Sequence, residues 1–313
     1  MKERILIIGG TGFIGRHLAK KCQKIGLLCS VISLNPPTKN NKIKGVSYYQ
    51  CNLAIYEQVY EILHDKKFEY IVNLSGYINH SSFYSDDGIS IINSHFLGVM
   101  NTLSAIDRLS LRHFIQIGSS DEYGSMVAPQ SEAMREEPIS TYSFSKTAIT
   151  HLMQMLFRSE KFPVTIIRLF LVYGEGQDLK RFLPQIIMNS LKGRDFPVSL
   201  GEQYRDFTYV EDIVDGIIAS LEVKNTFGEI INLASGKKIM IRDVVKKVIE
   251  YTGRGTARFG EIEYRSGENM QLYASISKAQ KLINWQPVTN FDIGLKKTIE
   301  YIKSEVSISS NVK

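Results

Sequence analysis

Gly9, Gly12 and Gly15 recur at three-residue intervals between the apolar run RILIIG and a segment of helical spacing, GFIGRHLAKKCQKIG. A strand that turns into a helix through glycines constrains the fold more than any other feature of this chain. Glycines let the backbone approach a ligand closely. The helix N-terminus behind them presents unpaired N–H groups and the positive end of its dipole, together a seat for a pyrophosphate. Alone the spacing is a weak signal. In the first strand–turn–helix unit of an alternating chain it points to a dinucleotide, with Gly9, Thr11, Gly12, Phe13, Ile14 and Gly15 as the contacting residues.

The rest of the first half continues the alternation. LLCSVISL and GVSYYQC read as strands, AIYEQVYEILHDK as a helix and FEYIVNLSG as a strand. SIINSHFLGVMNTLSAIDRLS reads as one long helix, HFIQIGSS as a strand, TYSFSKTAITHLMQMLFRSEK as a helix and PVTIIRLFLVYG as a strand. Strand and helix in this rhythm imply right-handed crossovers and a doubly wound parallel sheet, whose ligands lie beyond the carboxyl ends of the strands. From about residue 175 the rhythm loosens into LKRFLPQIIMNSLKGR, RDFTYVEDIVDGIIASLEV, GEIINLAS, MIRDVVKKVIEYTG and ISKAQKLIN. This α/β chain is therefore expected to hold a large domain over residues 1–172, to which segments near 207–236 return, and a smaller interleaved C-terminal lobe over 173–313.

The net charge of +6 comes from lysines and arginines interleaved with acids, as on solvated helix faces, so no nucleic-acid partner is expected. Three cysteines, Cys22, Cys29 and Cys51, with no C-x-x-C pair give neither a disulfide framework nor a metal site. No apolar run approaches the roughly 20 residues of a membrane helix, and MKERILIIGGTGFIG lacks the form of a signal peptide. A cytoplasmic protein with no membrane association is the expectation.

A dinucleotide site for NAD places an acid at the end of the second strand, on the ribose 2′-hydroxyl. That position falls near Ser33, and SVISLNPPTKNNK contains no acid. Ser33 and Asn35 can instead bond a 2′-phosphate, with Lys39 or Arg16 to neutralise it. NADP(H) is favoured on this ground, with NAD(H) possible. Further along, Tyr142 and Lys146 stand four apart at the start of a helix and share one face. An ammonium beside a phenol favours the phenolate and makes the tyrosine a usable general acid and base.

Taken together, GGTGFIG, YIVNLSG, IGSSDEYG, YSFSK, RLFLVYGEGQ, YRDFTYVEDIVDGI, INLASG and YRSGENMQLYASISKAQKLINWQP resemble the extended short-chain dehydrogenase/reductases, in their sugar-nucleotide epimerase, dehydratase and reductase branch. The resemblance spans essentially the whole chain. It implies a Rossmann domain, a lobe that holds a nucleoside-diphosphate sugar, and a homodimer with paired helices. It also implies a catalytic set of Ser119, Tyr142 and Lys146, cofactor contacts that include Asn52, Leu53, Leu74, Ser75 and Gly76, and Arg205 and Arg265 near the diphosphate. Arginine suits that place because its fork can hold phosphate oxygens in pairs. Departures from the family pattern are Leu171 and Asn52, where asparagine and aspartate are usual, and His95, where asparagine is usual; His95 reads as a satisfied buried histidine.

Which reaction follows turns on the stretch Ser119-Ser120-Asp121-Glu122. Ser119 would hold the reacting oxygen and Ser120 support the substrate. Asp121 would matter catalytically where a proton must be moved at carbon. Glu122 would face the other way. The expected activity is NADPH-dependent reduction of a 4-keto-(6-deoxy)sugar, with an NAD-dependent 4-epimerase as the alternative. A 4,6-dehydratase and a non-catalytic NADP(H)-binding protein rank behind these.

Overall fold

Short runs rich in isoleucine, leucine and valine, too brief for helices and buried on both faces, build the centre of the molecule. The computed structural model describes residues 2–38, 41–264 and 267–311. Strands β1 (Arg4–Ile8), β2 (Leu28–Ser33), β3 (Ser47–Gln50), β4 (Tyr70–Asn73), β5 (His113–Ser119) and β6 (Val164–Leu169) join the strand Ile230–Leu233 in one seven-stranded sheet. Its spatial order is Ile230–Leu233, β6, β5, β4, β1, β2, β3, and every neighbouring pair is parallel. The order reverses between β1 and β4, so a crevice opens where the loops after these two strands part.

Helices cover both faces. On one, Leu18, Ala19 and Cys22 of α1 (Phe13–Lys24) pack with Ile213, Val214 and Ile217 of a helix over Val210–Ser220 against Ile5, Ile7 and Val31. On the other, α2 (Tyr56–Leu63), α4 (Gly98–Ala105) and α5 (Thr141–Glu160) contribute Val59, Leu63, Val99, Ile149 and Met153. The segment read as one long helix is interrupted. It runs as α3 (Asp86–Ile92), a π-helical turn over Asn93–Leu97, and then α4. Such π turns gather at functional sites, and this one carries His95.

The second lobe packs α6 (Phe182–Leu191) against helices Ile241–Thr252 and Phe291–Asn311 around Leu183, Ile187, Val244, Val248, Leu295 and Ile299. Phe291–Asn311 is a helix that the reading above passed over, although Leu295, Ile299 and Ile302 keep the spacing of one buried face. Asp206 stitches the lobe to the sheet. Its fully buried carboxylate accepts hydrogen bonds from the Ser235 N–H (2.7 Å), the Ser235 hydroxyl (2.6 Å), the Gly236 N–H (2.9 Å) and the Ala274 N–H (3.2 Å). Among the described residues no helix is long and apolar enough to cross a membrane.

Candidate active site

The glycine turn closes as its spacing demands. The Gly12 N–H donates to the Gly9 carbonyl (3.0 Å), and Gly12 caps α1. A Cβ on Gly15 would stand 2.5 Å from Gly10 Cα, so the helix can meet the turn this closely only through glycine. Phe13 and Ile14 turn their side chains into the cores, which leaves their backbone for a ligand. The Thr11 N–H donates to the Ser33 hydroxyl oxygen (3.1 Å), and the Thr11 hydroxyl donates to the Asn35 carbonyl (3.2 Å). Ser33 thus also fastens the turn to the end of β2. A cleft of about 310 Å³ opens beside it, lined by Thr11, Arg16, Asn35, Thr38 and Tyr48 among others, with no acid in its lining. Lys39 lies outside the described residues. Arg16 holds the Gly176 carbonyl from the cleft wall.

The loops after β3 and β4 complete this rim. Asn52 is exposed and accepts from the Ala54 N–H (3.1 Å). The Leu53 carbonyl accepts from Asn101 Nδ2 (2.8 Å). The Leu74 N–H continues the sheet by donating to the Ile8 carbonyl (2.9 Å), and the Ser75 hydroxyl donates to Asn73 Oδ1 (2.5 Å). Gly76, at φ +110°, packs against the His95 ring, where a Cβ would be 2.0 Å from Cε1.

Tyr142 and Lys146 emerge from the first turns of α5, which a reciprocal cap between Ser140 and Ser143 starts. Both are buried, and Lys146 Nζ donates to the Ile117 carbonyl (3.0 Å) at the end of β5. Burial holds the ammonium down to about 8, with Glu122 working against this. The phenol moves opposite to the expectation. Burial first, and then the charge of Asp121, push Tyr142 above the ordinary tyrosine value, while a hydrogen bond from the Ser119 hydroxyl pulls the other way. Lys146 spends a hydrogen on a carbonyl, so in the protein alone desolvation outweighs the ammonium.

β5 delivers Ser119 into a short 3₁₀ turn (Ser120–Tyr123) that it caps: Ser119 Oγ accepts from the Asp121 N–H (3.1 Å), and the Ser119 N–H donates to Glu122 Oε1 (2.8 Å). Ser120 is buried under the turn, while Asp121 faces the opening. Glu122 is fully buried behind. Its Oε2 accepts from the Thr150 hydroxyl (2.7 Å) and from Arg168 Nε (3.0 Å) and Nη2 (2.8 Å), and Arg168 also reaches Glu136 (2.6 Å). This charged knot beneath the turn sets where Ser119 points.

Two histidines flank the phenol edge-on, His95 at 5.3 Å between ring centroids and His80 at 5.7 Å. Burial, with Lys146 nearby, pushes His95 down to about 3, so it is neutral. Its Nε2 faces the Tyr77 carbonyl (3.0 Å), which makes Nε2 the protonated nitrogen and leaves Nδ1 a buried acceptor with no partner among the described residues. The expectation of a satisfied histidine fails there. An unpaired acceptor beside Gly76 and Lys146 is what a site meant for a polar ligand leaves behind. With the glycine cradle, it fits a dinucleotide whose nicotinamide end reaches Lys146.

The central site thus gathers Ser119, Asp121, Tyr142 and Lys146 around the ends of β4 and β5. Arg205 belongs to the small sheet of the second lobe (Tyr204–Arg205, Ile239–Met240 and Gln271–Leu272), where its guanidinium is paired with Glu268. Arg265 lies outside the described residues. The sequence reading missed His80, which stands in the loop after β4 where a ligand was to be sought, and Arg181, whose charge ahead of α6 favours the Tyr142 phenolate.

The comparisons with known proteins bear on the family and the fold. The model of the NAD dependent epimerase/dehydratase family matches residues 5–234. An uncharacterised UDP-glucose epimerase of Bacillus subtilis is 28% identical over 96% of this chain and 98% of its own. A UDP-glucuronate 4-epimerase of Thermodesulfobacterium geofontis is 24% identical over 98% of each. The crystal structure of UDP-glucuronic acid 4-epimerase from Bacillus cereus, in complex with UDP-glucuronic acid and NAD, superposes with a TM-score of 0.88 at 26% identity, covering 96% of this chain and 99% of that one.

Proposed function

This chain belongs to the NAD-dependent epimerase/dehydratase family, and from that premise we propose that it interconverts a nucleoside-diphosphate hexose and its C4 epimer. The observation that carries the reading is the Ser119–Tyr142–Lys146 group at the carboxyl ends of β4 and β5, beside the glycine cradle. A nicotinamide held beside Lys146 would supply the acceptance and return of a hydride. Tyr142 takes the proton of the sugar hydroxyl as that hydride leaves, and gives it back on return. The Ser119 hydroxyl, held by the 3₁₀ turn, donates to the oxygen on which charge develops. Lys146 supplies the positive charge that lets the buried phenol ionise once a ligand replaces the Ile117 carbonyl as its partner. Arg205 and Arg265 are assigned to the diphosphate, and residues 173–313 to the sugar nucleotide. Relatives named as UDP-sugar epimerases support this choice over the reductase expected from the sequence.

One observation keeps the NADPH-dependent reductase as a second reading: the cleft at the end of β2 is lined by Arg16 and Asn35 and by no acid, with Ser33 bonded to the lining residue Thr11. It supports acceptance of a 2′-phosphate. The test incubates the purified protein with UDP-glucose, UDP-glucuronate and a 4-keto-6-deoxy nucleotide sugar, each with NAD(H) or NADP(H), and follows products by NMR. The 4-epimer formed without net consumption of coenzyme supports the first reading. Stoichiometric oxidation of NADPH with the keto sugar supports the second. Hydride transfer that persists unchanged in Tyr142→Phe refutes both.

A further inference from the structure

The charges that face the Tyr142 phenol are unequal in sign. Asp121 stands at the mouth of the site, its N–H fastened to the Ser119 hydroxyl oxygen at 3.1 Å. Its side chain is 31% exposed, and its Oδ2 lies 3.7 Å from His80 Nε2. After burial, the charge of Asp121 does most to raise the phenol; Glu122 adds to it, and Arg181, the weakest of the three, opposes them. Three other cations near the site are already engaged. Lys146 donates to the Ile117 carbonyl at 3.0 Å, Arg168 is shared by Glu122 and Glu136, and Arg205 is paired with Glu268. In the protein alone, two carboxylates thus act on the phenol against one guanidinium.

We propose that Asp121 is a specificity-determining residue that closes the site to uronates and limits the substrate to nucleoside-diphosphate hexoses uncharged at C6, 6-deoxyhexoses included. The inference rests on the C4 oxygen being held by Tyr142 and Ser119, as proposed above. With that oxygen fixed, the groups on C3 and C5 are the next along the sugar ring, and Asp121 is two residues beyond Ser119 in the turn that Ser119 caps. A hydroxyl on either side of C4 can donate to the Asp121 carboxylate, which only accepts. A carboxylate at C6 has no hydrogen to give, and two like charges brought together in a partly dehydrated site repel. The second anion would also raise the phenol further, against the ionisation that C4 oxidation requires. One side chain thereby admits the neutral sugar and turns away the acid of the same skeleton.

The charge can be tested apart from size and from turnover. Protein loaded with NADH, which cannot oxidise an alcohol, is titrated calorimetrically with UDP-glucose, UDP-glucuronate and UDP-glucuronamide. The amide matches the uronate in size but carries no charge. A buffer at about pH 8 keeps ordinary imidazoles neutral, so that they do not offset Asp121. The wild type is expected to bind the amide about tenfold or more tightly than the uronate. Asp121→Asn should bring the two within about threefold by tightening the uronate, and Asp121→Ser should do the same. A residue needed only to shape the turn would shift all three ligands together. Equal affinity of the wild type for amide and uronate, or a ratio unchanged in both variants, overturns the inference; the C4 assignment then stands if UDP-glucose is still epimerised. A wild type that binds none of the three overturns both.

Discussion

Glu122→Gln tests whether the knot beneath the 3₁₀ turn is what positions Ser119. The native carboxylate accepts four hydrogen bonds, one at Oε1 from the Ser119 N–H and three at Oε2 from Thr150 and Arg168, with no exposure to water. A glutamine has one acceptor oxygen, so either the Ser119 N–H or the Arg168–Thr150 side must face an N–H donor. Breaking a buried ion pair from one side costs about 3–5 kcal/mol, because the remaining charge stays buried. Arg168 keeps Glu136 at 2.6 Å, which places the expected loss near the lower end, about 3 kcal/mol. Trp285, the single tryptophan, is buried against the central-sheet core, and its fluorescence in urea reports the unfolding free energy of that body. Turnover should fall with it, by about a hundredfold if releasing the turn misplaces Ser119 by an ångström. A variant that unfolds within about 1 kcal/mol of the wild type, as an ordinary surface substitution would, and keeps its kcat would refute the argument.

Three further outcomes are expected. Burial holds Lys146 at about 8 in the folded protein against an ordinary 10.5, so the unfolded chain binds more protons between these values; stability should rise with pH from about 8 to 10.5, and Lys146→Met should flatten that slope in pH-dependent urea melts. Gly15→Ala places a Cβ 2.5 Å from Gly10 Cα, and an overpacking cost of about 1–3 kcal/mol should weaken coenzyme binding tenfold or more in a fluorescence titration. Ser33→Asp adds a charge against Thr11, a residue that lines the same cleft as Arg16, and should lower NADPH affinity at least tenfold relative to NADH; an unchanged preference in paired titrations would dismiss the reading of β2.

Much of the molecule was legible because the physics behind it is local. A period of two or of 3.6 in apolar residues is written in neighbouring positions, and so are a glycine turn and a tyrosine four residues ahead of a lysine. The helix Phe291–Asn311 was legible on the same terms, through Leu295, Ile299 and Ile302, and was passed over. The π turn at His95 was hidden for another reason. An apolar pattern that suits an α-helix also suits one interrupted by five residues of wider winding, and packing decides between them.

The sequence by itself determined the parallel sheet, the dinucleotide turn and the candidacy of Ser119, Tyr142 and Lys146, since each rests on residues close in the chain. Only the tertiary structure decided what surrounds them. His80 reaches Tyr142 from a loop about sixty residues away, Glu122 after β5 finds Arg168 on the neighbouring strand β6, and Arg181 approaches from the second lobe. Electrostatics and desolvation depend on distance in space and on exclusion of water, so the same Tyr142 and Lys146 that read as an activated pair become, once folded, a phenol raised by burial and an ammonium lowered by it.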